Sequence, residues 1–555
     1  MQSGSSKIYE LFNGDKIFNV PKYQRAYTWQ TENLNDFLYD LINHRGDKNY
    51  FLGTFLFHQQ PNRGEYEAID IVDGQQRLTT LILFQKELIS ILKNKSQNVT
   101  EKTFFKYVKD RDGVYKLELD NDDNTFFHNL LDNEKVSNTE TPSQKNLLTA
   151  KKHFHQELAK LSLEKLEQIY NTLINADIII YIVNKISDAT QIFELLNDRG
   201  RKLTSLEGIK SFLMYKISSL KLKDFEQPIK DIQGNFSTIY RIIEQYAVDE
   251  KDVLRYHTIT FEKSKTEDYN KPDKFIKTII NSHFDNSSSD DIIKTEILNY
   301  VKRLKRSFDI FKEIKSNSMK SDNLNKLFMV GRVNPFYPFL MKVYHEEQEQ
   351  FDYFVDILLK FTFKSALIGL QNRNEKFYQY LKNGSNVFNV FKWPIDGNWW
   401  NINSRFTNVL SYRNYYEWLN KNMVKYILFE YENSLRIKKG YPLLTIENYF
   451  ENDERTKFSI EHITAQRSKN LKFDDDFKEN YLHSIGNLVL DSKASNSRKG
   501  SNAVQDKIKE YDKAPIMSQN ELNSEEVNWN DLDSVKEFIN KRNANLQDYV
   551  NKNFG

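Results

Sequence analysis

An α+β chain of several domains is what the sequence predicts, and three stretches predict it. In the first third, strand and helix signals alternate. Between residues 220 and 450, long charged segments such as 292–311 and 351–363 carry apolar residues at helical spacing. Near the C-terminus, two short apolar runs at 459–466 and 485–490 frame a hairpin that leads into a helix. A chain of 555 residues has room for roughly two to four cores. The shifts in pattern place the boundaries at 1–220, 221–433 and 434–555.

The elements follow from local chemistry. Tyr50–Phe57 and Tyr66–Val72 are aromatic and β-branched runs split by Pro61-Asn-Arg-Gly64, which predicts a hairpin. After Asp73-Gly-Gln-Gln-Arg77, the spacing of Leu78, Leu81, Ile82, Leu88, Ile89 and Leu92 predicts a helix that starts directly behind the turn. Asp177–Val183 reads as a buried strand, and Ala189–Asn197 as a helix stopped near Arg199-Gly200. Thr204-Ser-Leu-Glu207 is a capping box that opens another helix. Asn286–Asp291 reads as a loop, and Trp393–Trp400 as an irregular aromatic segment that either glues elements together or stacks a base.

Composition narrows the chemistry. The absence of cysteine excludes disulfides, thiol catalysis and Cys-ligated zinc. With 79 Lys and Arg against 77 Asp and Glu, no global positive field draws in nucleic acid, so any phosphate contact must come from local clusters. No apolar run reaches about 18 residues and Met1–Ser6 has no signal-peptide core, which predicts a soluble, cytoplasmic protein with no membrane partner. Neither a P-loop nor a G-x-G-x-x-G turn is present, so a nucleotide site would be of another type.

Two constellations carry candidate chemistry. In the first, Tyr23, Gln24 and Arg25 sit in a polar aromatic stretch, and Arg matches phosphate oxygens in pairs. Asp73 offers a carboxylate to a metal or water, Gly74 permits close backbone approach, and Gln75, Gln76 and Arg77 open a helix whose amides favour anions. A plain turn with a surface arginine is the competing reading. In the second, Glu461 and His462 are neighbours on an extended segment, so their side chains point oppositely: one toward a metal, the other toward an attacking water. Asn487 lies across the hairpin, where it would hold the imidazole. Asn496, in the following helix, offers a neutral oxygen to a hard cation. His153 and His155 fall on different faces of a helix and do not make a metal pair. His483 has no ligand-spaced partner and reads as a surface residue.

The histidine–asparagine–asparagine order resembles an HNH (His-Me finger) nuclease. Val20-Pro-x-Tyr-Gln-Arg-x-Tyr-x-Trp29, Asp73-Gly-Gln-Gln-Arg-Leu-Thr-Thr80 and Phe193-Glu-x-x-Asn-x-Arg-Gly-x-x-Leu-Thr204 resemble the GmrS-type domain, and the nuclease segment resembles the GmrD-type domain. The whole chain thus resembles a fused GmrSD-family, modification-dependent (type IV) restriction enzyme. That resemblance implies a ParB-like N-terminal domain that binds and hydrolyses an NTP, with Asn197 and Arg199 closing the pocket and Asp73 in a catalytic role. It implies a C-terminal ββα-metal nuclease using Mg²⁺ or Mn²⁺, with His462 as general base, Glu461 and Asn496 at the metal and Asn487 orienting the histidine. Lys499 and Lys507 would contact nucleic acid, although a solvated helix lysine is an equal reading of Lys507. Ala465 stands where the family usually has proline, which affects loop stiffness and no chemical step. The expected partners are modified or phage DNA and a nucleoside triphosphate, and formation of a homo-oligomer is left open. The competing functions are a nucleotide- or DNA-sensing binding module and a toxin-like RNase.

Overall fold

Six strands form the N-terminal sheet of the computed structural model, which describes residues 2–555 apart from 45–49, 96–100, 121, 135, 137, 190–191, 193–203, 287, 318–320, 372–373, 468–470 and 524–526. They are β1 (Gln2–Lys7), β2 (Lys16–Val20), β3 (Phe51–Gln59), β4 (Glu67–Asp73), β5 (Leu117–Leu119) and β6 (Asp177–Val183), in the order β1-β6-β3-β4-β2-β5. β3 and β4 are the expected antiparallel hairpin, and β6 runs parallel to β3 on its other side. β2 lies parallel to both β4 and β5. The sheet is therefore mixed, and its parallel pairs require crossovers through helices.

The turn behind β4 shapes the core. Gly74 has φ +95°, and a Cβ there would fall 2.5 Å from the Phe55 ring. Only glycine fits both demands. The helix Gln75–Lys95 that follows is buried on nearly every face, with Leu78, Leu81, Ile82, Phe84 and Leu88 fully inside, as expected of a helix at the centre of a domain. Its charged pair is sealed in as well: Lys86 Nζ donates to Glu87 Oε1 at 2.8 Å, and Glu87 Oε2 lies 2.9 Å from His155 Nδ1. His155 thus has a structural partner.

The chain forms two compact units, Met1–Thr258 with Ser264–Lys312 and Ile259–Lys263 with Glu313–Gly555. The expected helical middle is present, for example as Asp290–Asn317 and Phe351–Leu367, and is divided between the units. Trp393 and Pro394 lie inside the helix Val387–Asp396, a correction to the irregular segment expected there. Positive φ occurs only beyond it, at Asn398, Trp400 and Asn401. The helix expected at Ala189–Asn197 falls mostly outside the described residues. Among those described, no helix is long and apolar enough to cross a membrane.

In the second unit, β7 (Phe458–His462) and β8 (Leu488–Ser492) pair antiparallel, with His462 opposite Leu488, and the helix Lys493–Lys499 follows. Ile463, Phe477, Val489, Tyr511, Phe538 and Ile539 form the core around this hairpin. Gly74→Ala, which combines a left-handed backbone with a steric clash, is expected to destabilise the first unit by about 2–4 kcal/mol. A urea midpoint that does not move would contradict this account of the turn.

Candidate active site

His462 ends β7 with its side chain 7% exposed. Its Nε2 lies 3.2 Å from His483 Nδ1, and the Tyr416 ring meets its edge at 4.6 Å. Burial first, then the neighbouring His483, Lys507 and Lys421, push its pKa down to about 3. The imidazole is therefore neutral at physiological pH, the form a general base needs.

Glu461 points the other way along β7, as strand alternation demands. That direction leads into the core. Its Oε1 accepts from Lys507 Nζ at 2.5 Å and from the Tyr511 hydroxyl at 3.4 Å, with Glu461 and Lys507 almost wholly buried. Lys507 Nζ also donates to the His462 carbonyl at 3.0 Å. Burial pushes the Glu461 carboxyl up, against the pull of Lys507. Both expectations here are corrected: Glu461 is held in an internal ion pair away from any metal, and Lys507 has no reach to a phosphate. Lys499 is corrected for the same reason. It is 1% exposed, donates to Asp491 Oδ2 at 2.8 Å and lies over the Tyr511 ring at 4.2 Å.

Asn487 is fully buried and does its work on the backbone. Its Oδ1 accepts from Thr464 N at 2.9 Å, and its Nδ2 donates to the carbonyls of Thr464 and Leu482 at 3.2 and 2.8 Å. Its own carbonyl accepts from Ile463 N at 2.9 Å. The expected bond to the imidazole is replaced by a clamp on the two residues that follow it. Asn496 spends both amide protons on Ser459 Oγ and the Ile460 carbonyl, each at 3.0 Å. This leaves its Oδ1 as the group able to meet a cation, beside the strand that carries His462. Among the described residues, no three His, Asp or Glu side chains converge as a metal cage. The donor set suits a magnesium-like ion that keeps its waters and takes further oxygens from a bound phosphate.

The N-terminal constellation is brought together, but largely as scaffold. Gln24 Nε2 donates to the Val72 carbonyl at 2.8 Å. Gln76 accepts from Thr28 N at 2.8 Å and donates to the Ala26 carbonyl at 2.9 Å. Arg25 Nε pairs with Glu207 Oε1 at 2.8 Å. Arg77 crosses Gly53, donates to the Thr54 carbonyl at 2.9 Å and lies over the Phe55 ring. These contacts correct the phosphate-facing roles expected of Arg25 and Arg77. Two buried atoms have no hydrogen-bond partner, the Tyr23 hydroxyl and Gln75 Oε1. Gln24 borders a cavity of about 130 Å³ that carries Asp120, Asp122, Asp123 and Glu244 beside Lys22 and Arg241. A triphosphate needs a larger and less acidic space. Asp73 closes β4 at the mouth of the turn, and Asn197 and Arg199 lie outside the described residues.

Sequence reasoning missed three residues. His483, read as a surface residue, has a side chain only 13% exposed and touches His462. Arg542 donates to the carbonyls of Gly486 and Leu488 at 2.8 and 2.6 Å, and Asn543 Oδ1 accepts from Gly486 N at 2.6 Å. No local motif marks Arg542 or Asn543, because they reach the site from the C-terminal helix Leu532–Phe554.

Residues 8–214 match the family model described as the GmrSD restriction endonuclease, N-terminal domain, and residues 400–548 match the one described as the GmrSD restriction endonucleases, C-terminal domain. No curated protein matches the chain.

If Lys507 is a structural partner, Lys507→Met should cost about 3–5 kcal/mol by stranding the Glu461 charge, and adding Glu461→Gln should restore most of it. Unfolding of the second unit measures this, and unchanged stability in the single variant would return Lys507 to a phosphate role. The sign of the pH effect at His462 follows from its depressed pKa. Between about 3 and the ordinary 6.5, the unfolded chain holds the proton and the folded chain does not. Stability should fall as pH is lowered through that window, and His462→Gln should flatten the fall. An identical pH slope in that variant would contradict the assignment.

Proposed function

The chain belongs to the GmrSD restriction endonuclease family, and on that premise we propose that it cuts modified or foreign (phage) DNA in bacterial defence, with His462 as the general base of a ββα-metal nuclease site. The observation that carries this reading is a neutral, buried imidazole at the end of β7, with Asn496 Oδ1 oriented beside the same strand. His462 takes a proton from the attacking water. Asn487 holds the chain just beyond the histidine, and the Glu461–Lys507 pair anchors its carbonyl from the opposite face. A divalent cation at Asn496 Oδ1 supplies charge neutralisation at the scissile phosphate.

The nucleotide reading has narrower support: the left-handed Asp73-Gly74 turn and the partnerless Tyr23 hydroxyl and Gln75 Oε1 beside it. We place the regulatory NTP there, in a ParB-like first unit. On this reading an NTP biases cleavage only through its differential affinity for active and inactive states.

Cleavage assays on modified and unmodified DNA, with Mg²⁺ and with or without each NTP, test both parts. His462→Ala is expected to lower cleavage by roughly 10²–10⁴-fold and to leave NTP turnover unchanged; near wild-type cutting would reject the base. The preferred NTP is expected to change the rate several-fold, about 1 kcal/mol of coupling. Asp73→Ala is expected to remove that response. Indifference to every NTP would leave the first unit as a DNA-recognition module, and cleavage of RNA alone would favour the RNase reading.

A further inference from the structure

His462 does not stand alone on its buried side. Its Nε2 lies 3.2 Å from His483 Nδ1, and His483 Nε2 lies 3.4 Å from Glu417 Oε1. Glu417 is itself fixed: its Oε2 accepts from Asn414 Nδ2 at 2.9 Å, and its amide donates to Asn414 Oδ1 at 3.1 Å. The short helix Tyr415–Trp418 is pinned to His483 by Tyr416 N, which donates to the His483 carbonyl at 3.0 Å, and by the Tyr416 ring, which stacks on the His483 ring. Gln466 approaches the same nitrogen of His462 at 3.5 Å, too far to compete.

We propose that His483, held by Glu417, is a positioning residue that fixes His462 as its Nε2–H tautomer and leaves Nδ1 to take the proton from water. The proposal rests on the reading of His462 as the base. Its logic is donor counting. A carboxylate only accepts, so Glu417 requires the proton of His483 on Nε2. A neutral His483 then offers a bare lone pair at Nδ1. The contact between the two rings holds one proton, which His462 Nε2 must supply. The two ring nitrogens of a base are thereby given separate duties, one to hold and one to react. Around the pair stand Lys421, whose Nζ lies 4.5 Å above the Tyr416 ring, and Lys507, bonded to the His462 carbonyl. Both disfavour a second positive charge. Burial also pushes the His483 pKa down, against the pull of Glu417.

The test uses the full chain with ¹⁵N in its histidine rings, of which there are ten, and assigns the His462 signals by their loss in His462→Gln. The expected spectrum has His462 protonated at Nε2 and bare at Nδ1. A proton on Nδ1 overturns the proposal, whether or not the protein cuts DNA. In cleavage assays, His483→Gln retains an oxygen that accepts from His462 Nε2 and is expected to stay within about tenfold of wild type. His483→Leu is expected to lose roughly 10²-fold in kcat, with KM for DNA unchanged. Equal rates for the two variants overturn the positioning role. If the wild type shows the Nε2–H tautomer but cuts no DNA, the hydrogen-bond chain is upheld and the nuclease reading falls instead.

Discussion

Everything at the C-terminal site depends on the clamp that Asn487 makes on Ile463 and Thr464. A residue at the end of a two-stranded ribbon is poorly determined by the ribbon alone, since short hairpins are marginal by themselves. Asn487 turns the chain past His462 into a closed set of amide and carbonyl bonds, all buried. Such bonds are worth little when exchanged with water, but costly to break where water does not enter. The clamp is fixed in turn by Arg542 and Asn543, which satisfy the carbonyls and amide around Gly486. Any side chain on Gly486 would meet the Ile539 carbonyl at 2.3 Å. The Gly-Asn pair is thus required twice, by close packing and by hydrogen bonding.

A second constraint comes from the opposite face of the hairpin. A chain without cysteine cannot staple a small nuclease core with disulfides or Cys-bound zinc. Buried ion pairs fill that place here: Glu461 with Lys507, and Asp491 with Lys499, both gathered around Tyr511. Pairs of this kind add little net stability over apolar packing, yet breaking one is expensive. They specify register, because a slip of one residue would place Glu461 where His462 belongs.

Much of this was legible in the sequence. The β3–β4 hairpin, the central helix, β6, the Thr204 capping box and the helical middle all announce themselves through periodicity and turn chemistry. β1 was hidden because Gln-Ser-Gly-Ser-Ser-Lys has no apolar alternation and is a strand only by its pairing with β6. At the site, residue types and order were readable but directions were not. Gln24, Gln76, Arg77, Lys499 and Lys507 are polar groups in motifs, which invites a ligand-facing reading. Burial decides otherwise, since a buried polar group must be satisfied and these are satisfied by backbone carbonyls and carboxylates. His483 was misread for the converse reason: its partners, His462 and Glu417, are distant in sequence and meet only in the fold.

The central claim is a division of labour along β7, in which Glu461 belongs to the frame while Asn496 and His462 face the chemistry. Mn²⁺ binding to the full chain, followed by the loss of its free-ion EPR signal, tests this most directly. The account predicts that the Glu461→Gln, Lys507→Met double variant binds Mn²⁺ as the wild type does, and that Asn496→Ala weakens binding at least about tenfold, the worth of roughly 1.4 kcal/mol. Loss of binding in the double variant, with retention in Asn496→Ala, would contradict it.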